Sequence, residues 1–169
     1  GANPQGSANY SISEAAAQAL QAKTGIQSRV QPCAGSTIAM TLLDKGEIDM
    51  AFNSGVETVL FYEGDPKVTK EKVESLRVVA AIMPFITAFF VKKDAPYKTL
   101  ADLKGKRMPG NYLGQRALDV QAEAFYANAG LSAKDYEIRP VQNIIRGADD
   151  FIAGNLDAFY FAVGPSKVK

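Results

Sequence analysis

The chain has 169 residues, enough for one ordinary domain or two small lobes. Its 47% hydrophobic and 22% charged content is that of a soluble globular protein, and 19 basic against 18 acidic residues leave a net charge of +1, which gives no footing for a nucleic-acid or membrane-surface partner. Histidine is absent and Cys33 is the one cysteine, so zinc sites, Ser-His-Asp or Cys-His catalysis and an internal disulfide are excluded.

The opening, GANPQGSANYS, has turn composition and lacks the charged and apolar regions of a signal peptide. Residues 6–10 form a polar, glycine-containing loop before a helix predicted over 11–23, with alanines at 15, 16, 17 and 19. A strand is expected over 27–32. Ser36 or Thr37 can cap the next helix, whose apolar face includes Ile38, Leu42 and Leu43, and Gly46 fits its left-handed C-terminal position. Residues 48–52 read as a short buried strand and 56–61 as a helix. Two strands follow, over 76–83 and 84–92, and the second reads as a crossing between two lobes at a Pro84 hinge. The apolar run 78–91 is broken by Pro84 and followed by Lys92 and Lys93, so it is too short to span a bilayer. After a turn at Pro96, a short helix over 97–103 leads to a strand at Arg107. The loop 110–114, a helix over 115–128 ended by Gly130, a strand over 136–141, a helix over 145–153, its stop at Gly154 and a strand over 156–161 complete the chain.

One phrase occurs twice. KGEIDMAFNSG at 45–55 and AGNLDAFYFAVG at 153–164 align at an offset of 108 residues, pairing Gly46 with Gly154, Asp49 with Asp157 and Phe52 with Tyr160. Val30 and Pro32 fall on Ile138 and Pro140 at the same offset. Each copy reads as strand, helix, glycine stop, strand. Asp49 and Asp157 are expected to serve as caps or turn hydrogen-bond groups, away from any cleft. The fold class that follows is α/β, with two similar lobes of mainly parallel sheets: lobe one over 1–88 and lobe two over 89–169, with the crossing strand near 84–92. Polar loops at helix N-termini, at the carboxyl ends of strands, favour an anion between such lobes.

In order, QPCAGSTIAMTLLDKGEIDMAFNS, FFVKKDAPYKTLADLKGKRM, GLSAKDYE and GNLDAFYFAVGPS resemble the TAXI family of solute receptors, which serve TRAP-type transporters and have the type 2 periplasmic-binding-protein fold. The resemblance covers nearly the whole chain. It implies a periplasmic or extracytoplasmic, non-catalytic receptor without a cofactor, whose lobes close over a glutamate-like or dicarboxylate ligand and then dock to TRAP transporter membrane subunits. Family members begin with a strand before the first loop and continue past the last residue here. Lobe one is therefore expected to be incomplete, and its apolar surface exposed or covered by a second copy in a homodimer or domain swap.

Four segments are expected to supply ligand-binding residues. In QGSANY they are Asn9 and Tyr10, where a plainer role for the tyrosine is to cover the helix start. CAGSTI offers Ser36 and Thr37, for which ordinary capping is compatible with binding. Asn53 and Ser54 of FNSGV leave the expected strand at its carboxyl end. PGNYLGQR supplies Asn111, Tyr112, Gln115 and Arg116. An arginine in a first helical turn opposes the dipole, so it is there either for a carboxylate partner or as a solvated or salt-bridged side chain. Gly164, after the last strand, would line the site with its backbone. The competing classes are a small-metabolite enzyme on the same scaffold and a ligand-sensing domain. An enzyme would need a carboxylate or lysine base, and no acidic pair falls in these loops.

Overall fold

The computed structural model describes residues 1–164. Its contacts divide them into two units, residues 1–85 with Gly164, and residues 86–163. Each unit is taken by itself below.

The first unit holds three helices, α1 (Ala8–Thr24), α2 (Ser36–Asp44) and α3 (Gly55–Glu63). Ser7 caps α1 by accepting the Tyr10 N–H at 3.2 Å, and Ser54 caps α3 by accepting the Glu57 N–H at 3.2 Å. The expected glycine stop after α2 is present: Lys45 is the cap and Gly46 follows with φ 70°. The buried face of α2 is Ser36, Ala39 and Met40. Ile38, expected on that face, is exposed, because a side chain two residues after Ser36 points to the far side of the helix. The core contains Ala39, Met40, Ile48, Phe61, Val68, Val73 and Leu76.

Strands are where this unit departs from expectation. Among the described residues the segments 27–32, 48–52 and 76–83 form no ladders. Instead residues 1–3 run between two neighbours. Ala2 bridges Pro32 in parallel fashion, with Ala2 N–H to Gln31 O at 3.0 Å and Cys33 N–H to Ala2 O at 2.8 Å. On the other side Phe52 N–H reaches Gly1 O at 3.3 Å and the Gly1 ammonium reaches Met50 O at 2.6 Å. A strand exists only where backbone partners continue along it, and three residues carry that pairing no further. Residues 77–85 make no backbone hydrogen bond among the described residues, and Val78, Val79, Ile82, Met83 and Phe85 are exposed.

The second unit is built from β1 (Thr87–Phe90), β2 (Arg107–Gly110), α4 (Ala117–Asn128), β3 (Glu137–Pro140), α5 (Ile144–Ile152) and β4 (Phe159–Ala162). β2 and β3 pair in parallel, Met108 opposite Ile138. β1 and β4 pair antiparallel, Phe89 opposite Tyr160. The mainly parallel expectation thus fits one ladder and is corrected at the other: the crossing segment, reduced to four residues, returns against the last strand. The expected helix over 97–103 is a single 3-10 turn at Leu100–Leu103, closed by a Thr99–Asp102 capping box.

Asp157 fastens β2 to the approach to β4. Its N–H donates to Arg107 O at 2.9 Å, and its carboxylate accepts the Arg107 N–H at 2.9 Å, Nε at 3.1 Å and a terminal nitrogen at 2.8 Å. These hydrogen bonds from Arg107 hold the Asp157 carboxyl below the usual aspartate range. Met108, Ala122, Tyr126, Tyr136 and Ala158 form the core, with Phe89 packed against it. The Phe89 ring lies 5.2 Å from Tyr160 and 5.6 Å from Tyr126.

Candidate functional site

In the first unit the starts of all three helices are tied together. Asn9, in the first turn of α1, is buried and uses both ends of its amide: Oδ1 accepts the Asn3 N–H at 3.2 Å and Nδ2 donates to Phe52 O at 2.8 Å. That second bond brings α1 against the segment entering α3. From the other side, Ser36, the first residue of α2, donates its hydroxyl to Glu57 Oε1. Ser54, the cap of α3, donates to Glu57 Oε2 at 3.2 Å while accepting the Glu57 N–H. Asn9, Ser36, Asn53 and Ser54, predicted from three separate stretches of chain, therefore belong to one linked group.

Asn53 stands in the middle of that group. Both polar atoms of its side chain are shielded from solvent and have no hydrogen-bond partner, and the side-chain oxygen of Asn3 is in the same state. A buried amide left unpaired costs about 1–3 kcal/mol, so a partner from outside the chain would gain that much. The start of α2 adds a positive dipole end, with Gly35 at the cap and no side chain closing it. Ser36 has its hydroxyl committed to Glu57, so what it can offer an anion is its backbone N–H. Tyr10 is half-buried and accepts from Gln5 Nε2 at 3.3 Å. Thr37 follows Ser36 in the first turn and is half-buried.

Glu57 was missing from the sequence-based set. It is 4% exposed. Burial pushes its carboxyl above the usual glutamate range, against the opposing pull of the hydrogen bonds from Ser36 and Ser54. The sequence held a signal for it: Ser54-x-x-Glu57 is a capping-box spacing.

In the second unit two of the predicted residues, Asn111 and Tyr112, are held by a different carboxylate, Asp119. It accepts the Asn111 N–H at 2.8 Å and the Tyr112 N–H at 3.0 Å, and this clamp holds Asn111 at φ 50°. Desolvation raises the Asp119 carboxyl above its usual range despite both bonds. Tyr112 is buried with an unpartnered hydroxyl. Gln115 is also buried, and its Oε1 accepts the Ile144 N–H at 2.8 Å, joining the loop to the start of α5. Arg116 is exposed at the position before α4, with no side-chain cap there. Gly164 is exposed with φ 113° and counts with the first unit.

A groove of about 380 Å³ lies elsewhere on the first unit, lined by Thr58, Val59, Tyr62, Leu76, Arg77 and Val78 among others, and it contains none of the predicted residues. No group of three or more Cys, Asp or Glu able to hold a metal is found among the described residues, and no described helix is long and apolar enough to cross a membrane.

Residues 1–169 match the NMT1-like family throughout. The chain belongs to that family. Among solved structures, it is similar to the alkanesulfonate-binding protein of Xanthomonas axonopodis pv. citri bound to MOPS, with 18% identity and a TM-score of 0.62 over 95% of this chain and 53% of that one. The periplasmic aliphatic sulphonate binding protein of Escherichia coli gives 18% identity and a TM-score of 0.53 over 98% and 53%. A protein of Bordetella bronchiseptica RB50 gives 19% and 0.58 over 94% and 50%. This NMT1-like chain thus spans about half the length of the structures it matches. Identity at this level speaks to the fold, which is α/β and similar to that of periplasmic binding proteins. The TAXI resemblance is finer than these findings.

Proposed function

We propose that this NMT1-like chain is the ligand-binding part of an extracytoplasmic solute receptor, non-catalytic, that takes a small organic anion for delivery to a membrane transporter. The observation that carries the reading is the buried, unpartnered Asn53 amide beside the uncapped start of α2. One N–H pair on Asn53 and the backbone donors of α2 suit the oxygens of a sulfonate or a carboxylate. The names of the similar structures favour the sulfonate. The TAXI resemblance favours a glutamate-like or dicarboxylate ligand and a TRAP-type transporter.

Titration calorimetry of the full chain against ethanesulfonate, L-glutamate and succinate separates these. Saturable binding of one of them supports the reading, and its identity selects between the classes. Heat no larger than dilution for all three sinks it. Asn53→Asp, nearly isosteric but anionic, should weaken binding about tenfold or more, because a like charge meets the ligand. The associated dimer expected from the sequence is supported by residues 77–85, where Val78, Val79, Ile82, Met83 and Phe85 are exposed and no backbone hydrogen bond forms among the described residues. A sedimentation mass of one chain at dilute concentration would count against it.

A further inference from the structure

We propose that Glu57 is a positioning residue of the anion site described under the proposed function: through Ser36 and Ser54 its carboxyl ties the start of α2 to the start of α3, and so sets both the placement of Asn53 and the charge that an incoming anion meets. The inference rests on that functional reading for its second half and on geometry alone for its first.

The geometry is specific. Each carboxyl oxygen takes a hydroxyl from a different helix start, Oε1 from Ser36 and Oε2 from Ser54. Asn53 precedes Ser54, so its backbone is fixed at one end by the Ser54–Glu57 cap and at the other by the Asn9 bond to Phe52 O. Loss of the carboxyl would leave the buried Ser36 hydroxyl and the half-buried Ser54 hydroxyl without their acceptor and free both helix starts to shift.

A neutral glutamine could make much of this tie. The acid is the costlier choice, because a buried carboxylate needs compensation and the described residues pair no cation with Glu57. What an acid adds is a proton that can come and go. With Glu57 protonated, an anion reaching Asn53 meets helix dipoles and a neutral carboxyl. With it ionised, the anion meets a like charge. Affinity therefore falls as pH rises through the titration of Glu57, whose midpoint burial has moved upward.

The other charged groups on the elements around Glu57 stand further out. α2 carries Asp44 at its opposite end and α3 carries Glu63 at its own. The approach to α3 carries Glu47 and Asp49, and all four of these carboxylates are exposed and screened by solvent. The Gly1 ammonium is bonded to Met50 O and interacts with Asp49 and the Cys33 thiol. α1 carries Tyr10 in its first turn, the half-buried Glu14 in the next and the exposed Lys23 in its last, and α3 carries the exposed Tyr62 in its last turn.

The first test needs no ligand. In the full chain, a carbon-13 NMR titration follows the Glu57 carboxyl together with the Ser36 and Asn53 amide resonances. The three should move with one midpoint, above the ordinary glutamate value of about 4.3. Hydrogen exchange at Ser36 and Asn53 should rise on Glu57→Ala and return towards the original rate on Glu57→Gln. A Glu57 that titrates alone, or an alanine variant with unchanged exchange, overturns the positioning role. The second test adds ethanesulfonate. Its dissociation constant in the original chain should rise about tenfold across the Glu57 titration, the scale of one nearby like charge, and stay flat in Glu57→Gln. A parallel pH dependence in both proteins overturns the charge role. Coupled resonances without binding of ethanesulfonate, L-glutamate or succinate would sink the proposed function and leave the tie between the helices standing, so the two failures are distinguishable.

Discussion

The two copies of the repeated phrase begin alike and end differently. Gly46 and Gly154 both stop a helix with positive φ, at 70° and 81°. Three residues on, Asp157 grips Arg107 with its backbone and its carboxylate, and Phe159–Ala162 then form β4 on β1. Asp49 is exposed, and the residues after it stay outside any ladder, held by single bonds to Gly1. The same local pattern thus gives a strand where neighbours extend it and an irregular segment where they do not. Helix stops are local properties; strands are agreements between distant segments.

The comparison can be broken most sharply at its aromatic pair. Tyr160→Ala removes a buried ring packed on Phe89 and Phe125, and a hydroxyl that donates to Gln121 Oε1 at 2.9 Å. It should cost about 3–5 kcal/mol in urea unfolding. Phe52→Ala, at a half-buried position with no ladder, should cost clearly less. Equal losses would mean that the two copies are held alike.

The aspartates come next. Asp157→Asn should cost about 1 kcal/mol, the worth of a partly exposed charge-assisted pair after solvent screening. Asp49→Asn should be near neutral. The pH dependence has a definite sign. Because the folded Asp157 carboxyl is depressed, its stabilisation is complete above its unfolded value, about 3.9, and fades as pH falls through the folded value. Glu57 runs the other way. With its folded value raised, its contribution is complete below about 4.3, the unfolded value, and is lost as pH rises through the folded one. Unfolding curves between pH 2 and 8 should therefore lose an acid-side slope in Asp157→Asn and a slope above pH 4 in Glu57→Gln.

The smallest effect tests the part that the copies share. A Cβ at Gly46 or Gly154 would meet nothing within 4 Å, so alanine at either pays only for a left-handed backbone. Each substitution should cost about 1 kcal/mol in the same unfolding assay. A large difference between them would show that one stop carries tertiary duty as well.

The helices were legible because their punctuation lies in the chain: Ser54 at one start, Gly46, Gly130 and Gly154 at the ends. The start of α1 was missed, because Ser7 caps it and the helix begins at Ala8, inside the loop expected over 6–10. The linked group in the first unit was half legible. Ser36 and Ser54 could be placed as helix caps from pattern alone, whereas Asn9 was expected in the loop before α1 and Asn53 at the end of a strand that the described residues do not form. Glu57, which joins two of those starts, read as one more acidic residue on a helix, since sequence does not reveal that its side chain is buried. Ile38 shows the opposite error: its apolarity suggested the core, and helical phase put it outside. The strands of the first unit were least legible, because whether 27–32 or 76–83 pairs depends on residues far away in the chain.

Residues 77–85 carry one consequence for the bench. With no backbone hydrogen bond to them among the described residues, their amides should exchange with solvent faster than those of α1 and α4. The same openness makes the stretch a natural first cut for proteases, after Arg77 for trypsin and after Phe85 for chymotrypsin. A strand laid alongside it, from whatever source, would be seen at once as slowed exchange and lost cleavage at these positions. Residues 77–85 are thereby a sensitive reporter of assembly.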